Sequence, residues 1–347
     1  MSGSSVESRE ILLTGATGFL GAYLLSELLQ DKTSRVHCLV RAPHAAAGRE
    51  RIEKSLRHYH LWQERWAQRI EVIAGDLEKP MIGMSKDQYV RLSETVAAIY
   101  HNGAVVNYVL PYSKLQKANV QGTQEIIRLA AKGKVPVYYV STLRLFDSRV
   151  DGHPISELDA VDETKTMYSG YSQSKWISEK LCKAAGARGI PYAIFRPGLV
   201  CGDGIAGIAN ENDAVSRFIK GCVELGCAPD SELQLNLTPV DFVIKALVWL
   251  SRRAESNGAV FHLINDTATL CNRVFEKLVD VGYPLKMVPY LEWVRRLREA
   301  AESENAKDLV PLLQYFDEHL PAKSQQRIFD SSYTRERLKL SGIRCRD

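Results

Sequence analysis

The chain has 347 residues, 45% of them apolar and 25% charged, and its 45 basic and 41 acidic side chains leave a formal charge of +4. This is enough length for about two domains and a large core, and the composition excludes both a disordered chain and a strongly cationic nucleic-acid binder. The charge is uneven, +6 over residues 1–200 and −2 over residues 201–347.

Residues 1–10 carry Glu7 and Glu10 where a secretory signal needs positive charge and an apolar run, so this start reads as a linker and no secretion is expected. Residues 11–29 are too glycine-rich for a membrane span, contain Glu27, and change period partway, as a strand followed by a helix would. Further strand-like runs follow at 36–40, 70–74, 97–100, 137–141 and 192–195. Helical stretches at 20–30, 115–132 and 171–185 lie between them. Each parallel crossover needs a covering helix, so the alternation predicts an α/β fold, a Rossmann-type doubly wound parallel sheet. After Pro197 the alternation stops. Residues 240–250 and 260–264 read as a helix and strand returning to the sheet, whereas 267–340 read as mainly helical, punctuated by Pro284, Pro289, Pro311 and Pro321. The expected division is a nucleotide-binding domain over 1–200, with 236–266 returning to it, and a smaller substrate domain over 201–235 and 267–347.

Seven cysteines without a C-x-x-C pair make a disulfide framework improbable and suit a reducing, cytoplasmic setting in which cysteines are small buried hydrophobes. No metal site is expected: Cys and His never cluster at ligand spacing, and His58 and His60 would point to different sides of a helix.

The first strand runs directly into Thr14-Gly15-Ala16-Thr17-Gly18-Phe19-Leu20-Gly21, which opens a helix. Glycines at 15, 18 and 21 would permit a tight turn, close approach of a pyrophosphate, and close helix packing, with the helix N-terminus facing the phosphates. At the end of the second strand, where an acid would bind the ribose 2′-hydroxyl, the sequence reads Cys38-Leu39-Val40-Arg41. The missing carboxylate favours NADP, with Arg41 on the 2′-phosphate and Arg49 or Arg51 as a second cation; the alternative for Arg41 is a solvated strand end. Asp76 and Leu77 would flank the adenine, although Asp76 also suits a turn.

Tyr171 and Lys175 are four apart and fall on one helix face. A neighbouring ammonium would favour a tyrosine phenolate, which turns a poor acid–base group into a useful one. The spacing also arises by accident on surfaces, but Ser141 and Thr142 end the fifth strand and would bring a hydroxyl to the same crevice.

With TGATGFLG at 14–21, GDL at 75–77, HNGA at 101–104, ANVQGT at 118–123, VST at 140–142, GYSQSKW at 170–176 and RPG at 196–198, the chain resembles the extended short-chain dehydrogenase/reductases. More narrowly it is similar to the thioester reductase domains that end nonribosomal peptide synthetases, polyketide synthases and carboxylic acid reductases. The likeness runs from about residue 9 to beyond residue 293, through FHLIN at 261–265 and YLEWVRRL at 290–297; the last fifty residues match only in helical character. The resemblance implies NADPH-dependent release of an acyl or peptidyl chain from the phosphopantetheine thiol of a carrier protein, giving an aldehyde or, after a second reduction, an alcohol. It implies a Thr142, Tyr171 and Lys175 triad, with Lys175 also on the nicotinamide ribose and Asn119 supporting the network. Thr17, Phe19, Leu20, Asn102, Gly103, Ala104, Pro197 and Gly198 would complete the cofactor site. It further implies a monomer within a larger synthetase, with neither nucleic acid nor membrane as partner. The alternatives are a nucleotide-sugar epimerase or dehydratase of the same superfamily and a non-redox condensing or cyclising release domain.

Three segments stay open between a functional and a structural reading. Residues 205–214 are a gate or an ordinary surface loop. Tyr108, Met167 and Tyr168 line an acyl pocket or simply pack. Residues 41–69, which alone carry +4, are a solvated helix face or a surface that attracts an acidic carrier protein.

Overall fold

The computed structural model describes residues 9–146, 153–161, 167, 169–302 and 328–345. In chain order the first half runs β1 (Arg9–Thr14), α1 (Phe19–Leu28), β2 (Ser34–Val40), α2 (Ala45–His58), β3 (Ile70–Ala74), α3 (Lys86–Thr95), β4 (Ala98–His101), α4 (Tyr112–Gln116), α5 (Gly122–Gly133), β5 (Val137–Val140), α6 (Gly170–Gly186) and β6 (Tyr192–Pro197). A π-helical turn, Lys117–Gln121, joins α4 to α5. The second half adds β7 (Leu199–Cys201), α7 (Ala214–Leu225), β8 (Cys227–Asp230), β9 (Gln234–Leu235), β10 (Leu237–Pro239), α8 (Val240–Ser251), β11 (Val260–Leu263), β12 (Thr269–Leu270), α9 (Cys271–Asp280), β13 (Lys286–Pro289), α10 (Tyr290–Ala301) and α11 (Ser332–Leu338).

Seven strands form one parallel sheet in the order β11-β6-β5-β4-β1-β2-β3. Chain direction across the sheet reverses between β1 and β4, and the carboxyl ends of these strands open the crevice in which ligands of such sheets bind. Both faces are covered. Successive residues of β1 point to opposite sides, so Ile11 and Leu13 join one core with α1 and α8, while Leu12 joins another with α3 and α5. Residues 240–251 and 260–263 return to the sheet as expected, with β11 against β6.

The segment between β2 and β3 is helical, with Ile52, Leu56 and Trp66 buried beneath it. His58 closes α2, and His60 lies past its end in a left-handed conformation, φ 56°, so the two do not share a helix. As expected, the described residues within 267–340 are mainly helical, in α9, α10 and α11, with only the short strands β12 and β13 among them. Three two-stranded sheets, β7 with β10, β9 with β12 and β8 with β13, are built from strands of two to four residues, too short for a period-2 signal. Around β8 and β13 lies a separate core in which Phe218 meets Phe275 and Trp293 edge-on, with ring centroids 5.2 and 5.5 Å apart. All seven cysteines are free; five are buried, and Cys201 and Cys345 are partly so.

Candidate active site

The glycine turn contains two glycines the protein needs for itself and one it does not. Gly15 has φ 77°, and a Cβ there would come within 2.8 Å of the Gly103 backbone. A Cβ on Gly21 would lie 1.9 Å from the Gly15 carbonyl oxygen, so this glycine lets α1 sit down on the turn. Gly18 has an ordinary extended conformation, and its Cβ would meet only the Gly15 oxygen at 3.6 Å. Packing therefore does not require its smallness. Gly18 caps α1 with no side-chain hydrogen bond, leaving the positive end of the helix for an anion. Residues with this geometry fit a dinucleotide pyrophosphate.

A cavity of about 1400 Å³ lies at the carboxyl edge of the sheet. The β1–α1 turn contributes Gly15, Thr17, Gly18, Phe19 and Leu20 to its wall, and the ends of β2 and β3 contribute Arg41, Asp76 and Leu77, with Arg51 from α2. Asn102, Gly103 and Ala104 enter after β4, Thr142 after β5, Tyr171 and Lys175 from α6, and Pro197 and Gly198 at the end of β6. Gly21 and Asn119 do not line it. Gly21 is packed under the turn. Asn119 is buried with its amide engaged: its oxygen accepts from Val105 N–H at 2.7 Å, and its nitrogen donates to Val105 O at 3.0 Å and Ser174 Oγ at 2.9 Å. It thereby ties the loop after β4 to α6.

The basic residues after β2 have divided roles. Arg51 donates to the Arg41 carbonyl, and both residues line the cavity. Arg49 instead clamps α2 to the end of the β2–β3 segment, donating to Ala67 O at 2.9 Å and Ile70 O at 2.7 Å, so it is not a second cation for a ligand. Arg69 similarly binds the carbonyls of Leu29, Asp31 and Ser34, and Arg57 pairs with Glu53 and Glu64. These guanidiniums hold the fold together, while the segment's net charge of +4 is unaltered by bonds to neutral carbonyls. Asp76 joins the cavity and also makes a turn, its carboxylate accepting from Glu78 N–H at 3.0 Å.

Ser169 caps α6 by accepting from Ser172 N–H at 3.1 Å, which starts the helix in time to place Tyr171 in its first turn and Lys175 one turn later. Both are buried. Lys175 Nζ donates to Val140 O at 2.7 Å and lies 4.6 Å from the centre of the Tyr139 ring. Burial pulls the Lys175 ammonium down to about 8, opposed chiefly by the Glu179 carboxylate. The Tyr171 ring meets Tyr108 edge-on at 5.3 Å, and the Arg144 guanidinium covers Tyr108 at 4.3 Å. Thr142 Oγ1 accepts from Arg144 N–H at 3.2 Å, which leaves the hydroxyl proton free to be donated elsewhere.

One expectation about Tyr171 is reversed. The ammonium four residues away was to favour the phenolate, yet burial raises this phenol far above its ordinary value, and the cation that opposes the rise is Arg144. The resting tyrosine is neutral.

Sequence reasoning missed a buried polar chain below the site. Gly103 N–H donates to Thr14 Oγ1 at 2.8 Å, Thr14 Oγ1 lies 2.8 Å from His101 Nδ1, and His101 Nε2 lies 2.9 Å from Thr123 Oγ1, which donates to Asn119 O at 2.6 Å. Because Thr123 gives its proton to Asn119, it accepts from Nε2–H, and Nδ1 accepts from Thr14. Burial, with help from Lys175, pulls His101 down to about 3, so it is neutral. A histidine closing the apolar run Ala98-Ile99-Tyr100 was the available signal. The C-terminal wall, including Phe329, Asp330 and Arg335, was also missed. Tyr108 lines the cavity, Met167 packs with Leu145 and Phe146 away from it, and Tyr168 lies outside the described residues. The stretch expected as gate or surface loop opens as a hydrogen-bonded turn, with Asp203 Oδ1 accepting from Ile205 and Ala206 N–H at 2.7 Å each. Among the described residues, no group of three or more His, Cys, Asp or Glu could hold a metal ion, and no helix is long and apolar enough to cross a membrane.

A glycine turn opening a helix at the switch point of a parallel sheet, with a buried Tyr–Lys pair at the same crevice, defines an oxidoreductase of the extended short-chain dehydrogenase/reductase type that binds a nicotinamide cofactor. The chain belongs to the male sterility protein family of NAD-binding domains, whose sequence profile matches residues 13–247. It is 39% identical over 348 residues to a linear gramicidin synthase polypeptide of Brevibacillus parabrevis, covering 99% of this chain and 7% of that protein. It is 34% identical over 349 residues to L-2-aminoadipate reductase of Schizosaccharomyces pombe, covering 96% of this chain and 24% of the relative. The chain therefore spans less than a quarter of the length of these two curated relatives. Among solved structures, the terminal R domain from the myxalamid PKS-NRPS biosynthetic pathway superposes with a TM-score of 0.91 at 41% identity, over 99% of this chain and 88% of that one.

Proposed function

We propose that this chain is an NADPH-dependent reductase that releases an acyl or peptidyl group, as an aldehyde, from the phosphopantetheine thioester of a carrier protein, acting as a monomeric unit of a larger synthetase. One observation carries the reading: the glycine turn, Thr142, Tyr171 and Lys175 wall a single cavity of about 1400 Å³, large enough for a dinucleotide and an extended acyl arm. Kinship with reductases and with a terminal R domain supports the substrate class. Preference for NADPH is supported by the absence of a carboxylate at the end of β2 and by Arg41 and Arg51 on the cavity wall, since each charged hydrogen bond is worth roughly 1.5–3 kcal/mol.

When bound, the reduced nicotinamide supplies a hydride to the thioester carbonyl carbon. Thr142, whose oxygen is occupied by the Arg144 N–H, has its proton available for the developing oxyanion. Tyr171, neutral because it is buried, gives its proton to the same oxygen as the hemithioacetal forms. Lys175, held on the Val140 carbonyl, would have its remaining N–H groups available to hold the nicotinamide ribose. Collapse of the hemithioacetal expels the carrier thiol and frees the aldehyde, with no covalent enzyme intermediate. Residues 201–235 and 267–347 are the substrate- and carrier-facing part.

The test is to supply a panel of pantetheine thioesters and aldehydes with NADPH or NADH and identify the products by mass. NADPH oxidation with aldehyde or alcohol formed is expected. Tight NADPH binding with no oxidation on any carrier-loaded or pantetheine thioester overturns the proposal.

A further inference from the structure

We infer that Glu179, Arg196 and His262 form a positioning relay that registers the helix bearing Tyr171 and Lys175 against the C-terminal segment on the wall of the same cavity. The inference rests on reading Tyr171 and Lys175 as catalytic. Residues 171, 175 and 179 follow one another at single-turn intervals along α6 and share a face. The Glu179 carboxylate is gripped by Arg196 from β6, with Nε to Oε1 at 2.9 Å and Nη2 to Oε2 at 2.7 Å, and the arginine side chain is fully buried. Phe146 covers the guanidinium at 5.2 Å.

The third guanidinium arm reaches His262 Nε2 on β11 at 3.4 Å. His262 Nδ1 lies 2.9 Å from the Asp330 carbonyl, so it carries the ring proton and leaves Nε2 to accept from Arg196. The backbone of His262 is held as well, its N–H donating to Thr334 Oγ1 at 3.0 Å. Thr334 in turn donates to Glu157 Oε1 at 2.7 Å. Phe329 and Asp330, at the far end of this chain of contacts, line the cavity. A substrate seated against them is thereby registered to the catalytic helix.

Stability alone gives little reason for such a pair, because buried ion pairs are often replaced by apolar side chains at no net cost. Its position gives a reason. The groups acting on buried Lys175 are Glu179 and Cys182 of its own helix, the Tyr139 ring of β5 and His101 of β4. The cysteine thiol and the Tyr139 phenol are pushed up by burial and His101 is neutral, so Glu179 is the anion that supports the lysine charge.

The test titrates Lys175 directly, from its ε-carbon NMR signal in selectively labelled protein, assigned by its loss in Lys175→Met. In Glu179→Gln the midpoint should fall by about one pH unit, and in Glu179→Asp it should return toward wild type. Glu179→Gln with Arg196→Met removes the stranded guanidinium and keeps the measurement possible should the single variant not fold. His262→Leu should raise KM for a pantetheine thioester about fivefold, leaving NADPH affinity unchanged. A folded Glu179→Gln protein, alone or with Arg196→Met, whose midpoint is that of wild type, or a His262→Leu protein with unchanged KM, overturns the relay. A midpoint that moves as stated in a protein that reduces no thioester supports the relay's electrostatic half and overturns the functional reading instead.

Discussion

The Lys175 ammonium donates to the carbonyl of Val140, 2.7 Å away, at the last residue of the strand that delivers Thr142. This bond fixes the lysine relative to both hydroxyls of the site, so its charge acts from a set position. Burial has pulled that charge down to about 8, which puts its loss within the working range. The ammonium is present below this value and disappears above it. Thioester reduction should therefore fall as pH rises through about 8, as read from kcat between pH 6 and 10. Tyr171→Phe should lower kcat at least ~100-fold, the smaller end for a positioned acid–base group, without weakening NADPH binding.

The glycine turn separates ligand binding from folding within four residues. Gly18→Ala adds a methyl group where the protein has room and the dinucleotide does not, so it should weaken NADPH binding at least tenfold with an unchanged melting temperature. Gly21→Ala drives a methyl into the Gly15 carbonyl and should cost about 1–3 kcal/mol of stability. Cofactor fluorescence and chemical denaturation on the two variants distinguish these outcomes; equal destabilisation by both would remove the argument for a pyrophosphate at Gly18.

How much of this was legible depended on how local each cause is. The apolar run Ile11-Leu12-Leu13, the glycine spacing and the single turn between Tyr171 and Lys175 are properties of a few consecutive residues, and they appear in the structure as read. A local signal was also overlooked: Ser85 and Gln88 form a reciprocal capping box that starts α3. Arg49 and Arg69 could not be assigned, because a long cation's partner is whatever carbonyl the fold brings near, here up to 40 residues away. The Tyr171 shift was misjudged for a related reason. A neighbouring charge is visible in sequence, whereas burial is contributed by the whole molecule and here outweighs it. Asp330 reached the site from 68 positions beyond His262, through a single ring nitrogen.

Arg41 and Arg49 offer a paired test of cofactor choice. Arg41 belongs to the cavity wall, whereas both contacts of Arg49 are to backbone carbonyls, of Ala67 and of Ile70 at the start of β3. Arg41→Ala should raise KM for NADPH about tenfold, equivalent to ~1.4 kcal/mol, and leave KM for NADH nearly unchanged. Arg49→Ala should lower the unfolding midpoint while the NADPH to NADH ratio stays as in wild type. A ratio that moves with Arg49 and not with Arg41 would reverse the two assignments.

Stability should carry the signature of His101. Its folded value, about 3, lies below the ordinary 6.5, because burial penalises the charged ring. Between these values the unfolded chain binds a proton that the folded protein refuses, so stability rises with pH through this window and is lost as pH falls from about 6.5 toward 3. At pH 5 the deficit from this one ring is about 2 kcal/mol relative to pH 7 or above. His262, pulled down to about 4 by burial and Arg196, loses stability in the same direction. Replacing the ring separates the two: His101→Gln should cost stability at pH 7, where its contacts to Thr14 and Thr123 are disturbed, yet its denaturation midpoint should fall less than that of wild type between pH 7 and 5. Equal pH dependence in both proteins, measured by urea denaturation, would mean that His101 takes up its proton without unfolding, and the buried polar chain from Gly103 to Asn119 would then have to tolerate a cation.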